Sequence, residues 1–170
     1  MLTHRIAEKK DLNEILRLIA NARAYIASQG IDQWQDGYPE PEVLEGDMES
    51  RIGIVFLEDG KICSYMALMD IPEPVYDELD GQWLQDTAYA TVHRMAIDDG
   101  YRGKGVSTAM LKYAEDYTRE SGLRSLRLDT HRGNKAMRGL LEKSGYTYCG
   151  EVKYDVTAGD PIRVAYEKLI

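Results

Sequence analysis

The stretch Tyr101-Arg102-Gly103-Lys104-Gly105-Val106-Ser107 decides how the rest of the chain is read. A strand-like run, 88–97, leads into it, and Val106 to Ser121 follows with apolar residues at 106, 110, 111 and 114, the spacing of one helix face. Strand, glycine turn, helix is the order that builds an anion cradle. Gly103 and Gly105 permit a tight turn that aims successive amide N–H groups at one point, reinforced by the positive end of the helix dipole. Arg102 and Lys104 add cationic donors suited to phosphate. The turn is not a P-loop, because Lys104 is followed by Gly105 where Ser or Thr is required. It is not a dinucleotide fingerprint either: position 108 is Thr in place of a third glycine, and the turn lies past the middle of the chain. No kinase catalytic loop or metal-binding tripeptide follows it. A different diphosphate is expected as the ligand.

Working outward, a first strand near His4 to Ala7 precedes Asp11 and Glu14, which stand at capping-box spacing. Leu12, Ile15, Leu16, Ile19 and Ile26 then predict a helix to Ser28. Residues 29–41 are rich in turn formers yet carry Trp34 and Tyr38, and a short helix is expected from Pro41. Asp59-Gly60 between Ile52 to Leu57 and Lys61 to Met69 reads as a hairpin. Residues 70–87 hold six acids and no base, which predicts a loop or short helical insertion. Downstream come a strand at 123–130, a helix from Asn134 to Ser144 closed by Gly145, and strands at 146–152 and 163–168. The expected class is α/β, a mixed sheet with helices on both faces. With 170 residues and no linker-like composition break, the chain reads as one domain over 1–170.

Paired with the glycine turn, the stretch Asn134 to Tyr146 (NKAMRGLLEKSGY) makes the chain resemble the GNAT superfamily of acyl-CoA N-acyltransferases. The family's diphosphate motif, Arg/Gln-x-x-Gly-x-Gly/Ala, is matched by Arg102 and Gly105, with Ser107 a small departure. Its later motif, Asn and then a helix ending Glu-Lys-x-Gly-Phe/Tyr, is matched by Asn134, Glu142, Lys143, Gly145 and Tyr146. Element order agrees from about residue 3 to the C-terminus, and DTH followed by Asn134 and LLEKSGYTYCG looks like small bacterial members whose acceptors are mostly unassigned.

The resemblance implies a mostly antiparallel sheet in which the strands 88–97 and 123–130 splay apart, and acetyl-CoA as co-substrate. Amides of Arg102, Gly103, Lys104, Gly105, Val106 and Ser107 would hold its diphosphate. Backbone groups of Met95 and Ile97 would hold the pantetheine arm, Asn134 the arm or cofactor, and Lys143 a phosphate. The reaction implied is direct attack of a neutral amine on the thioester, through a tetrahedral oxyanion held by an amide near Met95 or Ala96. Asp129, His131 and His93 are the candidates for taking the amine's proton. Asp129 and His131 lie two residues apart on one strand and so share a face, and a histidine's ordinary pKa suits proton transfer. The family's tyrosine acid aligns with Leu141, so Tyr146, Tyr148 or, as preferred here, water protonates the thiolate.

Trp34, Asp36 and Tyr38, with Asp77 and Glu78 of the acidic insertion, are expected to meet the acceptor, a cationic small molecule or a peptide amine. A net charge of −8 argues against nucleic acid as a partner. No apolar run approaches membrane-spanning length, and Cys63 and Cys149 sit in apolar runs suited to reduced core thiols, so a cytoplasmic protein without a membrane partner is expected. No metal is expected, since His93 and His131 lack ligand spacing. A homodimer is compatible with all of this. The competing reading is a non-catalytic acyl-CoA sensor or interaction module, favoured by Leu141 and opposed by Asp129 and His131.

Overall fold

The computed structural model describes residues 1–170. Eight strands form one sheet: β1 (Leu2–Ile6), β2 (Gly53–Glu58), β3 (Lys61–Met69), β4 (Asp80–Gly81), β5 (Ala90–Ile97), β6 (Ser125–His131), β7 (Thr147–Lys153) and β8 (Ile162–Leu169). Their spatial order is β1-β2-β3-β5-β6-β8-β7-β4, and only the β5–β6 pair is parallel. Helices α1 (Leu12–Ser28) and α2 (Pro41–Glu49) cover one face, and α3 (Val106–Glu120) and α4 (Lys135–Lys143) the other. The mixed sheet with helices on both faces is the architecture expected from the residues.

The alternation of side chains along the strands explains the two cores. Ile54, Phe56 and Met66 face Val106, Met110 and Leu111 of α3, while Val55, Tyr65 and Ala96 face Ile15, Leu18 and Ile19 of α1. The start of α1 differs from the capping-box expectation. Asp11, 5 % exposed, is drawn in by Arg5, whose Nη1 and Nη2 donate to its carboxylate at 2.6 and 2.9 Å, and it accepts the Glu8 amide at 2.8 Å. The box therefore sits one turn earlier than Asp11 and Glu14 imply, and Glu14 pairs with Arg17 instead.

The acidic insertion holds an edge strand that periodicity could not show. After a 3-10 turn at Pro74–Glu78, β4 pairs with β7 through Asp80 with Glu151 and Gly81 with Gly150. The two glycines, at φ 154° and 142°, bring backbones into direct contact, and a Cβ on Gly150 would overlap the carbonyl of Asp80. Gly150→Ala is expected to lose about 3 kcal/mol in urea unfolding; unchanged stability would show that the β4 contact is dispensable. Farther along the insertion, the Arg127 guanidinium lies 4.2 Å from the Trp83 ring centre and 4.1 Å from that of Tyr89. Its Nε donates to the fully buried Glu167 at 3.1 Å and its Nη2 to the Gln85 carbonyl at 2.7 Å. Glu167 also accepts from Ser125 Oγ and the Leu84 amide, so the insertion is stitched to the sheet by ion pair, aromatic rings and backbone together.

Candidate active site

β5 and β6 share two rungs, Ala90 with Leu126 and Thr91 with Arg127, and then diverge. A bulge on β5 contributes to the divergence: Ala67 of β3 faces His93 and Tyr65 faces Ala96, so Met66 opposes both Arg94 and Met95. Arg94 takes φ 55° there. The gap opens a cleft of about 640 Å³ between Val92, Met95 and Ile97 of β5 and Leu128 and Thr130 of β6.

One end of the cleft is closed by the glycine turn. Gly103 (φ 72°) and Gly105 (φ 82°) adopt the left-handed conformation, and Gly105 is the residue preceding α3. The amides of Gly103, Gly105, Val106, Ser107 and Thr108 donate to no group in the protein. Arg102 is fixed by Asp99, which accepts from its Nε at 2.8 Å, and by the Tyr25 ring 3.7 Å beneath its guanidinium. Its Nη2 is buried without a partner and borders the cleft. A set of free amides beside an unpaired guanidinium donor fits a phosphate-bearing group.

The other end carries the titratable groups. Asp129 of β6 lines the cleft, and its Oδ2 accepts from Tyr76 Oη and Tyr154 Oη, both at 2.8 Å. Burial, and then the charge of Asp129, push both phenols far above the usual tyrosine range, so they hold their protons and donate. His93 Nε2 lies 3.0 Å from Glu73 Oε2, too oblique for an in-plane ring hydrogen bond. The imidazole holds the Glu73 carboxyl below its ordinary range. Arg94 donates to Asp47 through Nε at 2.8 Å and Nη2 at 2.6 Å, and its Nη1 donates to Tyr38 Oη at 2.7 Å. Tyr65 Oη adds a third donor to Asp47 at 2.6 Å, so this buried carboxylate fixes the bulge and, through Arg94, the loop bearing Tyr38.

Several residues singled out in the sequence meet here and others do not. Met95, Ile97, Arg102, Gly103, Ser107 and Asn134 border the cleft, as do His93, Asp129, Trp34, Asp36 and Tyr38. Asn134 also caps α4, accepting the Met137 amide at 3.1 Å. The Ala96 side chain and Val106 are core, and Gly105 stands at the rim as the α3 cap. Lys104 is exposed over the Tyr101 ring, and Lys143 is exposed on α4 outside the cleft lining. His131 lies outside the lining: its Nδ1 accepts the Gly133 amide at 2.9 Å and its Nε2 is 3.0 Å from Asp32, which makes it a brace between loops. Asp77 and Glu78 point to solvent, because the 3-10 turn buries Tyr76 between them and the sheet; Glu73 is the insertion's acid at the cleft. Leu141 is fully buried in the core, Tyr146 donates to Glu115 at 3.3 Å and Tyr148 is half exposed, and none of the three borders the cleft. Glu73, Tyr76, Arg94 and Tyr154 were missed; a charged Arg94 inside a predicted strand was the only local signal.

The model of the acetyltransferase (GNAT) family matches residues 17–146. A GNAT-family acetyltransferase of Streptococcus agalactiae superposes with a TM-score of 0.89 at 37 % identity, covering 99 % of this chain and 95 % of that one. Probable N-acetyltransferase 14 of Xenopus tropicalis is 30 % identical over 102 residues, 60 % of this chain, which spans 43 % of that protein's length. YncA of Salmonella typhimurium, solved with its cofactor acetyl-CoA, shares the fold at a TM-score of 0.70 and 16 % identity, over 99 % of this chain and 93 % of that one. A cleft between two splayed strands, a glycine turn of free amides, and a family match over most of the chain lead to one assignment: this chain belongs to the GNAT family of acyl-CoA-dependent N-acetyltransferases.

Proposed function

We propose that the chain transfers an acetyl group from acetyl-CoA to a primary amine that enters between the loop 29–41 and the acidic insertion. The observation that carries this reading is the single cleft with phosphate donors at one end and Asp129, Glu73 and His93 at the other. The acetyl-CoA bound by the Salmonella typhimurium fold neighbour supports the choice of co-substrate. Amides 103 and 105–108 and Arg102 Nη2 hold the diphosphate. The arm lies along β5 in the gap, where Met95 and Ile97 border it.

Acetyl-CoA supplies an acyl carbon already activated as a thioester. The chain supplies position and charge. Asp129, held in place by two phenolic donors, receives the ammonium; once one proton has left it through water, Oδ1, which carries no protein donor, orients the neutral nitrogen toward the carbonyl carbon. As the N–C bond forms and the C–S bond breaks, the amine proton passes to Asp129 or, through water, to His93, with Glu73 balancing the charge that gathers on the imidazole. The bulged backbone at Met95 presents an amide to the negative charge developing on the acetyl oxygen. Tyr154 and Tyr76 are committed to Asp129, so the departing thiolate takes its proton from water.

Titration calorimetry with acetyl-CoA, followed by thiol release against a panel of amines and peptide N-termini, tests the whole reading. Binding at micromolar affinity and acceptor-dependent thiol release are expected. Binding without release from any amine would favour the sensor, and absence of binding would overturn the site. A cytoplasmic location and a homodimer belong to the same proposal, the latter checked by light scattering.

A further inference from the structure

Arg163, at the start of β8, is 7 % exposed and borders the cleft. Its Nη1 donates to the carbonyls of Asp160 and Ile162 at 2.6 and 3.0 Å, while Nε and Nη2 donate to nothing in the protein. No carboxylate lies within 4.0 Å of this guanidinium, although the other two most deeply buried ones are paired, Arg94 with Asp47 and Arg127 with Glu167. The neighbouring Asp160 carboxylate turns instead to Arg132, at 2.6 and 3.0 Å. A guanidinium sunk in the cleft wall, with two donor nitrogens left open and no counter-charge beside it, is a place where a ligand can bring an oxyanion.

Asp129 supplies the complementary half. It registers with Ala165 of β8, two residues from Arg163, so both side chains rise from one face of the sheet at diagonal positions roughly 7–8 Å apart between Cα atoms. One pole of the cleft seeks a cation and the other seeks an oxyanion. We propose that Arg163 anchors an acidic group of the acceptor, and that the acceptor is accordingly a small zwitterion, an amino-carboxylate or amino-phosphonate, with its amine at Asp129. The proposal rests on the acetyl-transfer reading of the cleft and narrows it: polyamines and neutral amino sugars leave Arg163 unpaired and are poor acceptors.

The test compares amino acids, their amino-phosphonate analogues and the matching decarboxylated amines in wild type, Arg163→Gln and Arg163→Lys. Acetyl-CoA affinity is measured by calorimetry on the same preparations. In the wild type, at least one acidic acceptor is expected to exceed its decarboxylated partner about 100-fold in kcat/KM. Arg163→Gln is expected to erase that preference mainly through KM and leave acetyl-CoA affinity within about twofold; Arg163→Lys restores part of the preference. Carboxylate and phosphonate arms identify which oxyanion is bound. Equal use of acid and decarboxylated amine overturns the proposal, and so does an equal loss for both in Arg163→Gln. If acetyl-CoA binds but no acceptor releases thiol, calorimetric binding of the zwitterions to the protein saturated with coenzyme A decides: Arg163-dependent binding supports the anchor while the transferase reading fails, and its absence overturns the anchor.

Discussion

Gly105→Asp is expected to weaken acetyl-CoA binding at least 100-fold in calorimetry while the protein stays folded. Gly105 precedes α3 at φ 82°, and a Cβ there meets no atom within 4 Å, so an added side chain has room. Aspartate is also among the residues that tolerate left-handed backbone and favour helix N-termini. What the substitution changes is charge. A carboxylate placed among the amides of residues 103 and 105–108 occupies the donors a diphosphate needs and repels it at short range. Gly105→Ala separates the two effects, because it brings the left-handed strain of about 1 kcal/mol without the charge. Full acetyl-CoA affinity in Gly105→Asp would remove the glycine turn from the binding site.

Asp129→Asn is expected to lower turnover by about 10²–10⁴-fold, the range for loss of a positioned acid or base, and to change the pH profile, with acetyl-CoA affinity unaltered. The amide keeps the size of the side chain and can still accept from Tyr76 or Tyr154, so the cleft is preserved while the charge that receives the amine is gone. Removal of one hydroxyl at a time provides the companion experiment. Tyr154→Phe and Tyr76→Phe each leave one donor on Asp129, and each is expected to fall between wild type and Asp129→Asn. An unchanged rate and profile in Asp129→Asn would move the proton acceptor to His93, where Glu73→Gln then becomes the sensitive substitution.

Local pattern carried the sheet and helices because each is written in nearest neighbours. Ile15, Ile19 and Ile26 mark a face at helical spacing, Asp59-Gly60 marks a turn, and Gly103 and Gly105 mark a reversal, all readable without tertiary knowledge. Asp80 and Gly81 carry no such pattern, since their pairing with Glu151 and Gly150 is set by backbone approach and not by apolar alternation. The acceptor end divides for the same reason. Asp129 was legible as a carboxylate at the end of a strand, but the phenols that hold it come from positions 76 and 154, and the partner of Arg94 from position 47. The insertion's acids were legible only as charge. Burial of Tyr76 decides that Glu73 turns inward and Asp77 and Glu78 outward, and burial is a property of the folded whole.

The two rungs between β5 and β6 have a mechanical meaning. They are the narrow ladder joining a half-sheet of β1, β2, β3 and β5 to one of β6, β8, β7 and β4. A ligand lying in the gap touches both halves at once and acts as a rivet. Its occupancy adds RT ln(1 + [L]/Kd) to the free energy of holding the halves together, about 2.7 kcal/mol at a hundredfold excess over Kd. On the acetyl-CoA reading of the cleft, resistance to proteases is expected to rise as acetyl-CoA is added, and unchanged digestion at saturating ligand would show that the two halves are held together without it.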